Sequence, residues 1–171
     1  SPIQDLMGPL LLSDGKYWGI DIDVDDEEVL VSGYHRDMFT GGTFGDQTSV
    51  FLLHADNPTK SSDWTLTPNI IGEIDLIPGA ASSLDVEFGE DDGAHLLYQS
   101  TRSDSTGIER HGLWYAHGLI EQSSWTFKKA VGDEASLAVM KVQIIDDEER
   151  ITAAWREGEG HESVMIVMVV D

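Results

Sequence analysis

The chain has 171 residues, 40% of them apolar, with 32 Asp and Glu against 10 Lys and Arg, a formal net charge of −22 and no cysteine. That length and apolar share suit a single domain with its own core, and the missing cysteine excludes disulfides, thiolate metal sites and a cysteine nucleophile. So negative a surface repels nucleic acid and anionic lipid, and no apolar run reaches the ~20 residues of a membrane helix, so neither nucleic-acid binding nor membrane insertion is expected.

In chain order, the first candidate element is a short strand at 8–12 (GPLLL) with no hairpin partner in sequence. Three units then follow one script. Each opens on a strand of alternating apolar and polar residues: 17–24 (YWGIDIDV), 82–88 (SSLDVEF) and 136–145 (SLAVMKVQII). An acidic turn comes next, at 25–28 (DDEE), 90–93 (EDDG) and 146–149 (DDEE). A second strand then runs through an aromatic residue to an arginine, Tyr34 to Arg36, Tyr98 to Arg102 and Trp155 to Arg156. The third strands are read at 48–55, 111–117 and 163–170. In the first two units a short stretch led by Trp64 or Trp125 adds a fourth strand, and the third unit stops at Asp171 without one.

A repeat of four strands every 55–65 residues is the layout of a propeller blade. The expectation is an all-β single domain, 1–171, of three blades at 17–67, 82–129 and 136–171. Three blades curve too tightly to close on themselves, so two chains are expected to form a six-bladed ring as a homodimer. Residues 1–13 of each chain would supply the strand missing from its partner's third blade.

The stretches before the fourth strands, 54–65 (HADNPTKSSDWT) and 117–126 (HGLIEQSSWT), resemble the Asp-box turns of the sialidase-like (BNR-repeat) six-bladed propellers over nearly the whole chain. They keep the closing Trp-Thr but lack the ordered Asp-x-Gly spacing, so the resemblance speaks for architecture more than for activity. Sialidases hold a substrate carboxylate with three arginines, attack with a tyrosine assisted by a glutamate, and use an aspartate as acid. By that resemblance Arg36, Arg102 and Arg156, with Tyr34, Tyr98 and Trp155 just before them, form a candidate site for an anionic ligand or glycan. The plainer reading pairs these arginines with the many nearby carboxylates.

The loop 37–47 (DMFTGGTFGDQ) is glycine-rich without the Lys-Ser/Thr of a phosphate loop; its Met38, Phe39 and Phe44 either project as a partner contact or pack over strand edges. His111 and His117 are six residues apart on one strand, about 20 Å at ~3.3 Å per residue, too far to share an ion. Asp21, Asp23 and Asp25 alternate on one strand face and read as solvated, with weak calcium attraction as the other possibility. No metal site, cofactor or catalytic residue is expected.

The spread of acids along the chain suits a halophilic setting, where molar salt screens self-repulsion; an acidic patch for a cationic partner is the other reading. The functional expectation is a non-enzymatic binding or attachment module for a glycan or protein surface, such as an adhesin or virion spike, placed outside the cell or on a virion. A sialidase-like enzyme and a purely structural assembly element are the alternatives.

Overall fold

The computed structural model describes residues 15–37, 48–59, 61–74, 84–103, 109–120, 125–129, 135–146, 148–157 and 164–170. Residues 1–13 and the loop residues Met38, Phe39 and Phe44 lie outside this set. The described residues hold no α-helix, and the fold is all-β, as the period-two alternation leads one to expect. The described residues form eleven strands: β1 (Gly15–Asp25), β2 (Glu28–Asp37), β3 (Thr48–Asp56), β4 (Thr65–Ile74), β5 (Leu84–Phe88), β6 (Gly93–Ser103), β7 (Glu109–Leu119), β8 (Thr126–Lys129), β9 (Ala135–Ile145), β10 (Glu148–Glu157) and β11 (Val164–Val170). Each repeat unit forms one antiparallel sheet in which strands pair in sequence order. The first sheet is β1-β2-β3-β4, the second β5-β6-β7-β8 and the third β9-β10-β11.

The acidic turns have a backbone reason. Asp26, Asp91, Asp92 and Asp146 all have positive φ, between 48° and 59°. The short polar side chain of aspartate tolerates this left-handed region better than most residues do. In the second unit Gly93 N–H donates to the Glu90 carbonyl, closing a tight turn over two left-handed aspartates, the form whose twist matches a hairpin. Asp92→Ala is therefore expected to lower stability by about 1 kcal/mol, measurable as a lower denaturant midpoint at constant slope.

Alternation along the strands sends side chains to two faces, and both faces of the second sheet are covered. Leu96 and Val86 join Leu30, Tyr34, Val50 and Leu52 in a core between the first and second sheets. Leu97 and Leu113 turn the other way, to Ala138, Met140, Ala153 and Trp155 of the third. Trp114 packs against the first of these cores and its neighbour Tyr115 against the second. Each such Leu, Val or Tyr contributes roughly 1.5–3 kcal/mol by leaving water. On the outward face of the first sheet, Val31, Phe51 and Leu53 form a third cluster with Trp64 and Leu66.

Candidate functional site

Among the described residues the first strand of each sheet is an edge strand, with no ladder partner on one side of its backbone. Carboxylates from the preceding sheet take up these amides. Asp21 and Asp23 of β1, two residues apart and therefore on one face, accept the N–H groups of Val86 and Phe88 of β5, each at 3.0 Å. Asp85 of β5 accepts the N–H of Met140 on β9 in the same way, and Glu87 accepts from the Lys141 ammonium, which also lies 3.6 Å from Asp23. The joint between the first and second sheets is thus repeated between the second and third. Asp21 and Asp85 occupy equivalent places, as do Asp23 and Glu87.

This corrects the reading of Asp21 and Asp23 as solvated or calcium-attracting; they hold two sheets together, and Asp25 alone of the three is exposed and without such a contact among those described. Burial pushes the Asp85 carboxyl up to about 7, reinforced by a hydrogen bond shared with Asp21 and by the charges of Asp21 and Glu87. Glu87 is raised for the same leading reason, burial, with the Lys141 hydrogen bond opposing it.

A second polar group lies at the hairpin end of the joint between the second and third sheets. The Nδ1 of His95 stands 2.6 Å from the Tyr115 hydroxyl, and its Nε2 stands 3.2 Å from Oε1 of Glu149 on β10, an oxygen that also accepts the Glu90 N–H at 2.6 Å. Burial lowers the affinity of His95 for a proton, and burial together with the Glu149 charge raises the tyrosine. A neutral imidazole beside an ionised carboxylate carries its proton on Nε2, so Glu149 accepts from Nε2–H and Tyr115 O–H donates to Nδ1. His117 stacks on both rings, at 6.2 Å from His95 and 5.7 Å from Tyr115. Gly89 leaves the room for this group, since a Cβ there would stand 2.4 Å from His95 Nε2. Chemically the set is a carboxylate–imidazole–phenol chain whose donors and acceptors are matched, and it ties β6 and β7 to β10.

The residues singled out in the sequence are placed differently from one another. Arg36, Arg102 and Arg156 sit at corresponding ends of β2, β6 and β10, remote from the acidic turns; only the side chain of Arg156 is among those described, and it is half-buried. Tyr34, Tyr98 and Trp155, read as ligand-facing aromatics, are instead enclosed: Tyr34 and Tyr98 in the core between the first and second sheets, Trp155 in that between the second and third. Their apolar bodies fit the pleated inner faces better than an open rim. The inter-sheet carboxylates and the His95–Glu149 contact were missed because the partners across each joint lie 54 to 65 residues apart. A signal was present, however: the Asp-x-Asp of β1 recurs as Asp85-x-Glu87 at the same place in the second unit. No protein-family model matches the chain, and no curated protein matches it in sequence.

Proposed function

We propose that the three sheets are half of a six-bladed propeller completed by a second copy of the chain, and that the assembly is a non-enzymatic binding or attachment module. One observation carries the reading. Val86 and Met140 each receive a carboxylate from the residue position that Asp21 and Asp85 share, so Ile22, Val86 and Met140 are equivalent, with Ile20, Leu84 and Ala138 before them and Val24, Phe88 and Val142 after. In the second and third sheets this triplet is packed against the preceding sheet: Leu84, Val86, Ala138, Met140 and Val142 are all 8% exposed or less. In the first sheet Ile20, Ile22 and Val24 are 57–58% exposed. The same apolar stripe is buried where a sheet precedes it and bare where none does.

The third sheet supplies the complementary opening. Val139 stands where Asp21 and Asp85 stand in the other two and is 60% exposed, so a contact between copies there is apolar rather than carboxylate to amide. That also removes acids from the meeting of two chains each carrying −22. Among the described residues β11 is the last strand of the third sheet where the other two have a fourth, so a strand from the second copy would complete it.

Binding rather than catalysis is favoured because the half-buried carboxylates of the inner strands serve as acceptors for backbone amides. The ligand, a glycan or protein surface bearing carboxylates, belongs in this reading at the end of the second strands that carry Arg36, Arg102 and Arg156, on a chain with few other cations. Light scattering in molar salt is expected to give twice the chain mass, and Ile22→Asp the monomer with unchanged strand content. A wild-type monomer sinks the propeller reading. Glycan-array binding lost in Arg102→Ala supports the recognition role; chromogenic glycoside hydrolysis lost in that variant replaces it with the sialidase-like alternative.

A further inference from the structure

We propose a divalent-metal site, of the kind that takes zinc, made by Glu28, His54 and Asp56 at the hairpin end of the first sheet. Glu28 on β2 and Asp56 on β3 are directly opposed in the strand register, and His54, two residues before Asp56, shares their face. One donor atom from each of the three lies within 4.8 Å of the other two. His54 Nε2 stands 3.2 Å from Asp56 Oδ1 and 3.6 Å from Glu28 Oε2.

Those separations, within ion-pair range for a protonated ring, also suit an ion shared by a neutral one. The Nε2 atom is shut off from solvent yet has no hydrogen-bond partner, although two carboxylates lie close to it. A hydrogen bond needs the oxygen nearly on the ring nitrogen's axis. An ion ~2.1 Å from both atoms puts the oxygen about 40° off that axis, where a hydrogen bond is poor. With metal–donor distances of ~2.1 Å, the two separations correspond to angles of about 100° and about 120° at the ion, either side of the tetrahedral value. A buried nitrogen without a partner costs about 1–3 kcal/mol, which coordination removes.

Ligand chemistry narrows the ion. Calcium and magnesium favour all-oxygen shells, whereas one imidazole with two carboxylates suits zinc and its neighbours in the first transition row. Two carboxylates and a neutral histidine also neutralise the ion. Three protein donors leave a fourth position open, and the three residues line a cleft of about 340 Å³ together with Asp91 and Asp92 of the second sheet.

The second sheet contains a natural control. His117 lies opposite His95 on β6–β7 as His54 lies opposite Leu30 on β2–β3, but the pair two residues on is Gly93 with Leu119 in place of Glu28 with Asp56. His117 therefore has the strand position without the carboxylates.

The test is calorimetric titration of the chelator-treated full chain with zinc chloride, in molar sodium chloride and excess magnesium so that diffuse binding to surface acids is screened. One zinc per chain is expected. Loss of second-sphere partners costs about 10–100-fold in affinity, so loss of the direct ligand in His54→Ala is expected to exceed about 100-fold, with His117→Ala unchanged. Asp56→Asn, which keeps the size of a 77% exposed side chain, is expected to weaken binding by at least about 10-fold with unchanged circular dichroism. Absence of saturable zinc binding, or equal binding by the His54 and His117 variants, overturns the site.

Discussion

Replacing Tyr34 by phenylalanine is expected to lower stability by about 2–3 kcal/mol, and replacing it by alanine by about 5 kcal/mol or more. Tyr34 projects from β2 into the core between the first and second sheets and is fully enclosed. Its hydroxyl donates to the Gln99 carbonyl at 2.9 Å and accepts the Gln99 N–H at 2.8 Å. Among the described residues the pairing of β5 with β6 ends at Leu84 and Tyr98, and at Gln99, the next residue of β6, the phenolic oxygen serves one backbone donor and one backbone acceptor. Burial holds the hydroxyl far above the usual tyrosine range, so it remains a donor at any pH the fold tolerates.

Phenylalanine keeps the ring and removes only the oxygen, so its cost is that of the two hydrogen bonds to Gln99 that the hydroxyl makes. Alanine adds an aromatic-sized cavity, for a total comparable with the whole stability of a small domain, about 5–15 kcal/mol. Denaturant unfolding at fixed molar salt separates the two. A phenylalanine variant within about 0.5 kcal/mol of the wild type, at unchanged slope, would show that Gln99 finds other partners and that Tyr34 acts only by packing.

Tyr34 also shows how far the sequence could be read. Period-two alternation in 17–24, 82–88 and 136–145, and an acidic turn after each, located the strands and their grouping, because both signals are local: side-chain direction and tolerance of left-handed backbone. Which face of a strand meets which other sheet is not local. Tyr34 beside Arg36 has the look of a binding pair in a linear chain, yet its partner is 65 residues away and the phenol points into a core. Asp21 looked like one more solvated acid among 32, because nothing in its neighbourhood reports that an edge strand beginning at Leu84 needs acceptors. His54 was passed over for the same reason. Local spacing finds ligands on one strand or helix, whereas Glu28 reaches Asp56 only through the β2–β3 register. The repeat itself carries more: laying the Asp-x-Asp of the first unit over Asp85-x-Glu87 of the second brings Ile22 over Val86, and with it the amide-capping joint, although the acidic turns that follow are then one residue out of step.

Asp85→Asn is expected to stabilise the chain above pH 7 by about 1–2 kcal/mol and to change little below pH 4. The carboxyl titrates near 7 in the folded chain against 3.8 for the ordinary group, so between those values the native state holds a proton that the unfolded state has lost. Stability from this group is therefore complete below about pH 4 and drains away as pH rises towards 7, after which the charged carboxylate is carried as a constant penalty. The gap of about three pK units sets an upper bound near 4 kcal/mol; Asp85 is only half-buried, and solvent screening reduces that to the smaller figure. Asparagine copies the protonated form, since its oxygen accepts the Met140 N–H and its amide donates to Asp21, where the acid's own proton bridges the two side chains. His95 and Glu149 act in the opposite sense. Both have lowered folded pKa values and so favour the native state more as pH rises, which makes the wild-type profile a sum of opposed slopes. The difference between variant and wild type at each pH removes their contribution. A difference that grows from near zero at pH 4 to its plateau at pH 8 assigns the penalty to the Asp85–Asp21 pair. A difference independent of pH would mean that Asp85 stays ionised throughout and that its role is confined to holding the amide of Met140.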